Sequence, residues 1–431
     1  MQRQIATFLI TDFSTIKEQL LHWANQFSSC SFLDNHQYTS LQNSVECLVG
    51  VGAVQTFLPT DNHQKQLTAF LHNTNDWLFG HISYNYNAIL EPSQLPKKFD
   101  NIGFQPIYFF QPEVVLQLSK TELRIESLGV APKEIFTQIN ALSLKPHLPN
   151  QTSQLIIKPR IIKETYLQII QQIKAHILRG DCYEINFCQE FYAENAVINP
   201  LNVYQKLTKL SPNPFACYYK LNDNYLLCAS PERYLKKVGT RLISQPIKGT
   251  FKRDKANTKI DKTLKQQLFK SQKDRSENVM VVDLVRNDLS KICKEGSVNV
   301  EELFGIYTFP QVHQMMSTIV GELQDGLDIA DILQATFPMG SMTGAPKKMV
   351  MQLIDKYEQT QRGLYSGAVG YIAPNKDFDF NVVIRSILYN ATNQYLSYQV
   401  GGGITFNSDA NCEYEECLLK AEAMIEVLMA N

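Results

Sequence analysis

Apolar residues recur at helical spacing in some stretches of the chain and alternate or cluster in others, and the change of pattern divides it. Around residues 164–180, Ile162, Tyr166, Ile169, Ile170, Ile173 and Ile177 form one stripe, with Gly180 placed to cap the C-terminal end. Cys417, Ala421, Met424, Ile425 and Leu428 repeat the same period near the C-terminus. Met280, Val281, Val282, Leu284 and Val285 predict a buried helix. Earlier in the chain, residues 48–57, 77–86 and 106–118 alternate or cluster apolar and aromatic residues between Gly and Pro breaks, which predicts strands of an antiparallel sheet. Residues 143–160 carry three prolines, few large apolar residues before Leu155 and no periodicity, and so predict a linker. The expected division is an N-terminal region, 1–150, and a C-terminal region, 155–431, in which strands alternate with helices. No fixed-period repeat or low-complexity tract is visible.

Composition narrows the function classes. The 431 residues carry a net charge of −1, with 44% hydrophobic and 19% charged residues, so nothing favours nucleic acid or an acidic membrane as partner. The length allows a sizeable core. The opening QIATFLI is too short for a signal peptide, and no run reaches the ~18 apolar residues of a membrane span, which predicts a cytoplasmic protein. The nine cysteines lack a C-x-x-C pair and histidines at zinc spacing, and read as packed, reduced thiols.

Three groups of charged residues suggest chemistry. Lys248 stands in the turn Gln245-Pro246-Ile247-Lys248-Gly249-Thr250, where Pro246 fixes the backbone and Gly249 permits close approach to a ligand. A partly desolvated amine there is a candidate nucleophile; without partners it is a solvated turn lysine. Glu413, Glu416 and Lys420 share one face of the last predicted helix, and Asp274 and Glu277 lie i, i+3 before the apolar run at 280–285. Two carboxylates from each of two helices suit magnesium with a bound anionic substrate, although either pair alone also describes a solvated acidic face.

PIKGT at 246–250, SENVMVVDLVRNDL at 276–289, GSMTGAPKKMVMQLID at 340–355, RGLYSGAVGYI at 362–372, FNVVIRSI at 380–387, Gly401-Gly402-Gly403-Ile404 and Glu413-x-x-Glu416-x-x-x-Lys420 occur in that order. Together they resemble the chorismate-utilising enzymes, the group of anthranilate, aminodeoxychorismate, isochorismate and salicylate synthases, from about residue 155 to the end. The lysine of PIKGT is similar to the aminodeoxychorismate synthase branch; anthranilate synthases typically have alanine there. The resemblance implies an α/β (α+β) fold of two large packed antiparallel sheets flanked by helices, with the site between them and the N-terminal region supplying part of each sheet.

It also implies roles. Glu277 and Glu416 would hold Mg2+ under the ring carboxylate of chorismate, with Asp274 and Glu413 acting through water. Thr343 and Gly344 would offer backbone N–H groups at a helix start. The enolpyruvyl carboxylate would meet Tyr365, Arg385, Lys420 and the backbone of Gly401, Gly402 and Gly403, a glycine run equally compatible with a β-bulge. Gly249 and Thr250 would border the substrate beside Lys248. Glu232 matches the family's acid for the C4 hydroxyl, and His313 matches its histidine near the substrate. The implied reaction is amination at C4, by attack of Lys248 at C2 and its displacement by ammonia, giving 4-amino-4-deoxychorismate. A glutamine amidotransferase subunit would supply the ammonia, and a separate lyase would carry the product on to 4-aminobenzoate and folate. Glu184 departs from the pattern, because the aminating enzymes usually have glutamine there and the water-adding ones lysine; its role is open. SFLDNHQY occupies the region where relatives carry a Leu-Leu-Glu-Ser-like motif, so bound tryptophan is not assumed, and whether it or another effector binds there is open. The alternatives are an anthranilate or isochorismate synthase and, in another class, an inactive paralogue that docks a glutaminase or senses a metabolite.

Overall fold

The helix of residues 163–179 forms because Tyr166, Ile169, Ile170 and Ile173 occupy its buried face, and it ends where Gly180 turns left-handed, with φ 87°. Ile162 leaves the predicted stripe: it is the extended residue before the helix and is 58% exposed. The helix Gln272–Ser290 starts on the hydroxyl of Ser271, which accepts the Asp274 backbone N–H, and buries Val281, Val282 and Val285 while Met280 and Leu284 stay half-buried. The helix Ala410–Met429 buries Cys417, Ala421, Met424 and Leu428, with Ile425 at the margin. These elements belong to a computed structural model that describes residues 2–38, 46–59, 63–90, 98–144 and 155–429. Most of the expected linker, 145–154, lies outside the described residues.

Among the described residues the strands form two antiparallel sheets, of twelve and ten strands. Alternation along the strands assigns their faces. Leu227, Ala229, Ile387 and Tyr389 of the larger sheet pack in one core with helices such as Phe13–Ala24, Lys163–Arg179 and Ala410–Met429. Their neighbours Leu226, Cys228 and Leu388 pack in a second core with Phe79, Phe109, Leu235 and Phe380 of the smaller sheet. The N-terminal third contributes to both sheets. Strand Ser29–Asp34 pairs with Phe215–Leu221, and Leu78–Ile82 pairs with Ala368–Ile372. The strand expected over 77–86 stops at Ile82, because the Ser83 hydroxyl donates to the Gly363 carbonyl and accepts the Asn85 N–H, turning the chain into a short 3-10 segment. All nine cysteines are unpaired, and eight are buried. No described helix is long and apolar enough to cross a membrane.

Candidate active site

Two strands of the larger sheet, Glu184–Ala193 and Tyr395–Ile404, run side by side with Asn186 opposite Gly403. Facing them, Ile247–Lys252 pairs with Val312–Glu322 at the margin of the smaller sheet. The helices Gln272–Ser290 and Ala410–Met429 lie beside these strands. A cleft of about 480 Å³ opens where these six elements meet. Its lining includes Lys248, Gly249, Thr250, Asp274, Glu277 and Glu232 on one side. Tyr365, Arg385, Gly401, Gly402, Gly403, Glu416 and Lys420 complete it on the other. Residues far apart in sequence thus converge as the motifs led us to expect.

Lys248 is the centre of the charge arrangement. Its Nζ lies 2.5 Å from Glu184 Oε1, in a nearly enclosed pair. Burial alone would pull the amine's pKa down, but Glu184, Glu277 and Glu416 outweigh burial and hold it well above its usual value. Gly249 adopts φ 91°, and a Cβ there would lie 2.9 Å from Asp274 Cβ, so neither the backbone nor the space admits a side chain. At Gly403 a Cβ would lie 2.4 Å from Glu184 Oε1 and 2.7 Å from Lys248 Nζ. We expect Gly403→Ala to force the pair apart at a cost of about 1–3 kcal/mol, the usual range for overpacking. Chemical denaturation together with turnover would check this, and an unchanged stability would exclude such close contact.

Glu232 is buried and hydrogen-bonded to Ser341. Burial raises its carboxyl to about 7, against the lowering effects of the Ser341 hydrogen bond, Lys248 and the Ile247 backbone. A carboxylic acid half-protonated near neutral pH is suited to give a proton to a leaving group. Arg233 does not pair with it; its guanidinium donates to both oxygens of Asp379.

The acids of the two helices are interleaved with lysines. Lys420 Nζ sits 2.7 Å from Glu416 Oε1 and donates to the Gly401 carbonyl at 2.7 Å. That ammonium, helped by Lys273 and Lys248 against burial, lowers the Glu416 carboxyl to about 2. Burial raises Glu277 to about 7, and its Oε1 is enclosed without a hydrogen-bond partner, the Lys273 ammonium standing 3.9 Å away. Lys273 also approaches Glu413 at 3.5 Å. Glu413 is buried behind Gly402 rather than in the lining, with its Oε2 3.2 Å from where a Gly402 Cβ would be. The four acids do not close on one point; among the described residues such a cluster forms only at Asp34, Glu46 and Cys47, where Lys17 lies 2.7 Å from Asp34 and 3.2 Å from Glu46.

Four other expected residues also lie outside the cleft lining. Glu184 stands behind Lys248. The Thr343 hydroxyl donates to the Met339 carbonyl and its own carbonyl accepts the Asn186 N–H, while Gly344 pairs with Ile185. His313 is turned to the opposite face of its strand, its ring 3.0 Å from Asp261 Oδ1 and 3.0 Å from Thr308 Oγ1. The neighbour that does reach the cleft is Gln314, whose Oε1 is buried without a partner. Ser341, Asn186, Lys273 and Gln399 also line it and were not anticipated. Arg385 is largely enclosed; burial lowers its pKa, and it donates to the Lys420 carbonyl at 3.2 Å. Tyr365 is buried, its hydroxyl 3.7 Å from Cys188 Sγ.

Comparison with known proteins bears on the family and the fold. The model of the chorismate binding enzyme family matches residues 19–426. Component 1 of aminodeoxychorismate synthase from Bacillus subtilis is 33% identical over 81% of this chain and 76% of its own length. Component 1 of anthranilate synthase from Aquifex aeolicus is 34% identical over 68% of this chain and 57% of its own. The crystal structure of anthranilate synthase component I from Streptococcus pneumoniae superposes with a TM-score of 0.74 at 25% identity, covering 90% of this chain and 94% of that one.

Proposed function

Because the chain belongs to the chorismate binding enzymes, we propose that its cleft aminates chorismate at C4 to give 4-amino-4-deoxychorismate. The two relatives above, at 33% and 34% identity, do not by themselves separate amination at C4 from anthranilate formation, although aminodeoxychorismate synthases of Oryza sativa and Streptomyces pristinaespiralis reach 39% and 40%. Lys248 carries the choice: an amine at the cleft wall, in the same lining as a buried acid of pKa about 7, provides a nucleophile and a proton donor on one substrate.

The residues divide the work. Arg385, Tyr365 and Lys420 orient one carboxylate of chorismate, with the guanidinium suited to a bidentate grip. Lys248 bonds to C2, and Glu232 protonates the C4 hydroxyl as it leaves. Ammonia then adds at C4 and Lys248 departs. The ammonia comes from a glutamine amidotransferase subunit, and a separate lyase takes the product.

A divalent cation fits the donor set. The lining carries six acidic and five basic side chains, so it offers a dianion little net positive charge, which a bound cation would add. Glu277 has a buried oxygen with no partner, and Glu416, lowered to about 2, is ionised at neutral pH. Glu277 and Glu416 would hold magnesium, with Asp274 and Glu413 behind them through water. Bound there, the ion supplies charge neutralisation for the ring carboxylate. In Glu277→Gln and Glu416→Gln we expect magnesium-dependent turnover to vanish, with smaller losses in Asp274→Asn and Glu413→Gln. Normal activity of the first two variants at limiting magnesium would remove them from the ion site.

Mass spectrometry of the products from chorismate, magnesium and ammonium, with and without the lyase, tests the whole reading. Aminodeoxychorismate is expected. Anthranilate or isochorismate as the main product, or no turnover at all, would overturn it.

A further inference from the structure

The side chain that departs from the family pattern is the one that touches the proposed nucleophile. Glu184 opens its strand, is 2% exposed, and reaches the cleft only through Lys248. Its backbone is fixed opposite Ala345, and Gly344 leaves no room for a Cβ, which would meet the Glu184 carbonyl at 2.1 Å. Oε1 is 2.5 Å from Lys248 Nζ, and Oε2 is buried without a partner. Three other acids act on the same amine: Glu277 from the helix Gln272–Ser290, Glu416 from the helix Ala410–Met429, and Glu232 from the segment after strand Asn224–Ser230. Only Glu184 is hydrogen-bonded to it. In the reading above, Glu277 and Glu416 serve the cation and Glu232 the leaving hydroxyl. Glu184 has no such task.

We propose that Glu184 is the proton acceptor that converts Lys248 from ammonium to amine inside the cleft, a positioning residue that acts on chorismate only through Lys248. This rests on the nucleophilic role of Lys248. One proton passes from Nζ to Oε1. The freed lone pair forms the N–C2 bond, the C1–C2 and C5–C6 π pairs shift to C1–C6 and C4–C5, and the C4–O bond breaks as Glu232 gives its proton, releasing water. When ammonia adds at C4 the π pairs return, the C2–N bond breaks, and the lysine amine takes its proton back from Glu184. A proton from the new C4 ammonium restores Glu232. Glutamine at this position could hold the lysine by a hydrogen bond but could not accept the proton. A carboxylate therefore lets this chain keep its lysine charged at rest and still release it without solvent.

The test is adduct formation without ammonia. Chorismate and magnesium are mixed with the intact protein, and the peptide carrying Lys248 is followed by mass spectrometry for a gain of chorismate less one water. The wild type forms the adduct at a rate with no rising limb through neutral pH, because the proton stays within the pair; its one pH dependence is the decline as Glu232 loses its proton. In Glu184→Gln the rate falls by about 10²- to 10⁴-fold, the usual contribution of a positioned base. It also acquires a rising limb at pH values below the Glu232 decline, since the proton must now go to solvent. Glu184→Asp keeps the wild-type profile, without a rising limb, at a reduced rate, and it carries the test should the glutamine variant fold poorly; a rising limb in the aspartate variant would overturn the proposal. Wild-type rate and profile in Glu184→Gln would overturn the role of Glu184 while leaving nucleophilic Lys248 standing. No adduct on the wild type would overturn both.

Discussion

In Glu232→Gln, kcat for C4 amination falls by about 10²- to 10⁴-fold, the range for removal of a positioned general acid. Hydroxide is a poor leaving group, and glutamine keeps the shape and the Ser341 contact while losing the proton. The pH profile gives a second check. Burial places the carboxyl at about 7, so the competent, protonated form is depleted as pH rises through that value. The wild-type kcat/KM should therefore show a descending alkaline limb near pH 7, and the limb should be missing from the variant. Stopped assays from pH 5.5 to 9 on both proteins measure it. A limb that persists in Glu232→Gln would assign it to another group, with Glu277 the first to consider because burial raises it to a similar value.

Lys248→Met should damage both stability and chemistry. Removing one partner of an enclosed ion pair leaves the other charge buried, at a cost of about 3–5 kcal/mol. Glu184 is the stranded charge, so adding Glu184→Gln should recover most of that loss, a strongly non-additive cycle. Ammonia-dependent synthesis should stay low in both the single and the double variant, because the nucleophile is gone from each. Denaturation curves for the four proteins, with product assays alongside, separate the two effects. Additive stabilities would mean that the pair is open in solution, and wild-type synthesis without Lys248 would reduce the lysine to a determinant of pocket shape.

The parts that the sequence made legible are those in which one face of an element is apolar and the other is not. The stripe from Tyr166 to Ile173 and its Gly180 stop defined a helix almost to the residue, and the spacing of Glu413, Glu416 and Lys420 put three charges on one helical face. Parity along buried strands was not legible. Strand Val312–Glu322 is buried on both faces, so no alternation reveals which of His313 and Gln314 points at the cleft. A shift of one residue exchanges the faces. The pair at Lys248 was hidden for another reason, since Glu184 lies 64 positions away and only sheet pairing places it under Gly403. Ser341 and Asn186 gave no signal, being small polar residues whose role depends on where the backbone carries them.

The strands that the first third lends to both sheets make it a structural cofactor of the rest. A piece comprising 155–431 alone would expose two raw sheet edges, at Phe215–Leu221 and at Ala368–Ile372, each an invitation to pair with another copy. Expressed by itself it should aggregate; co-expressed with a 1–144 piece it should be rescued by strand complementation and regain the cleft. The ability to transplant the chemistry therefore stops at the sheets: a cleft whose lining, among the described residues, takes no side chain from the first third still cannot be inherited without the N-terminal backbone.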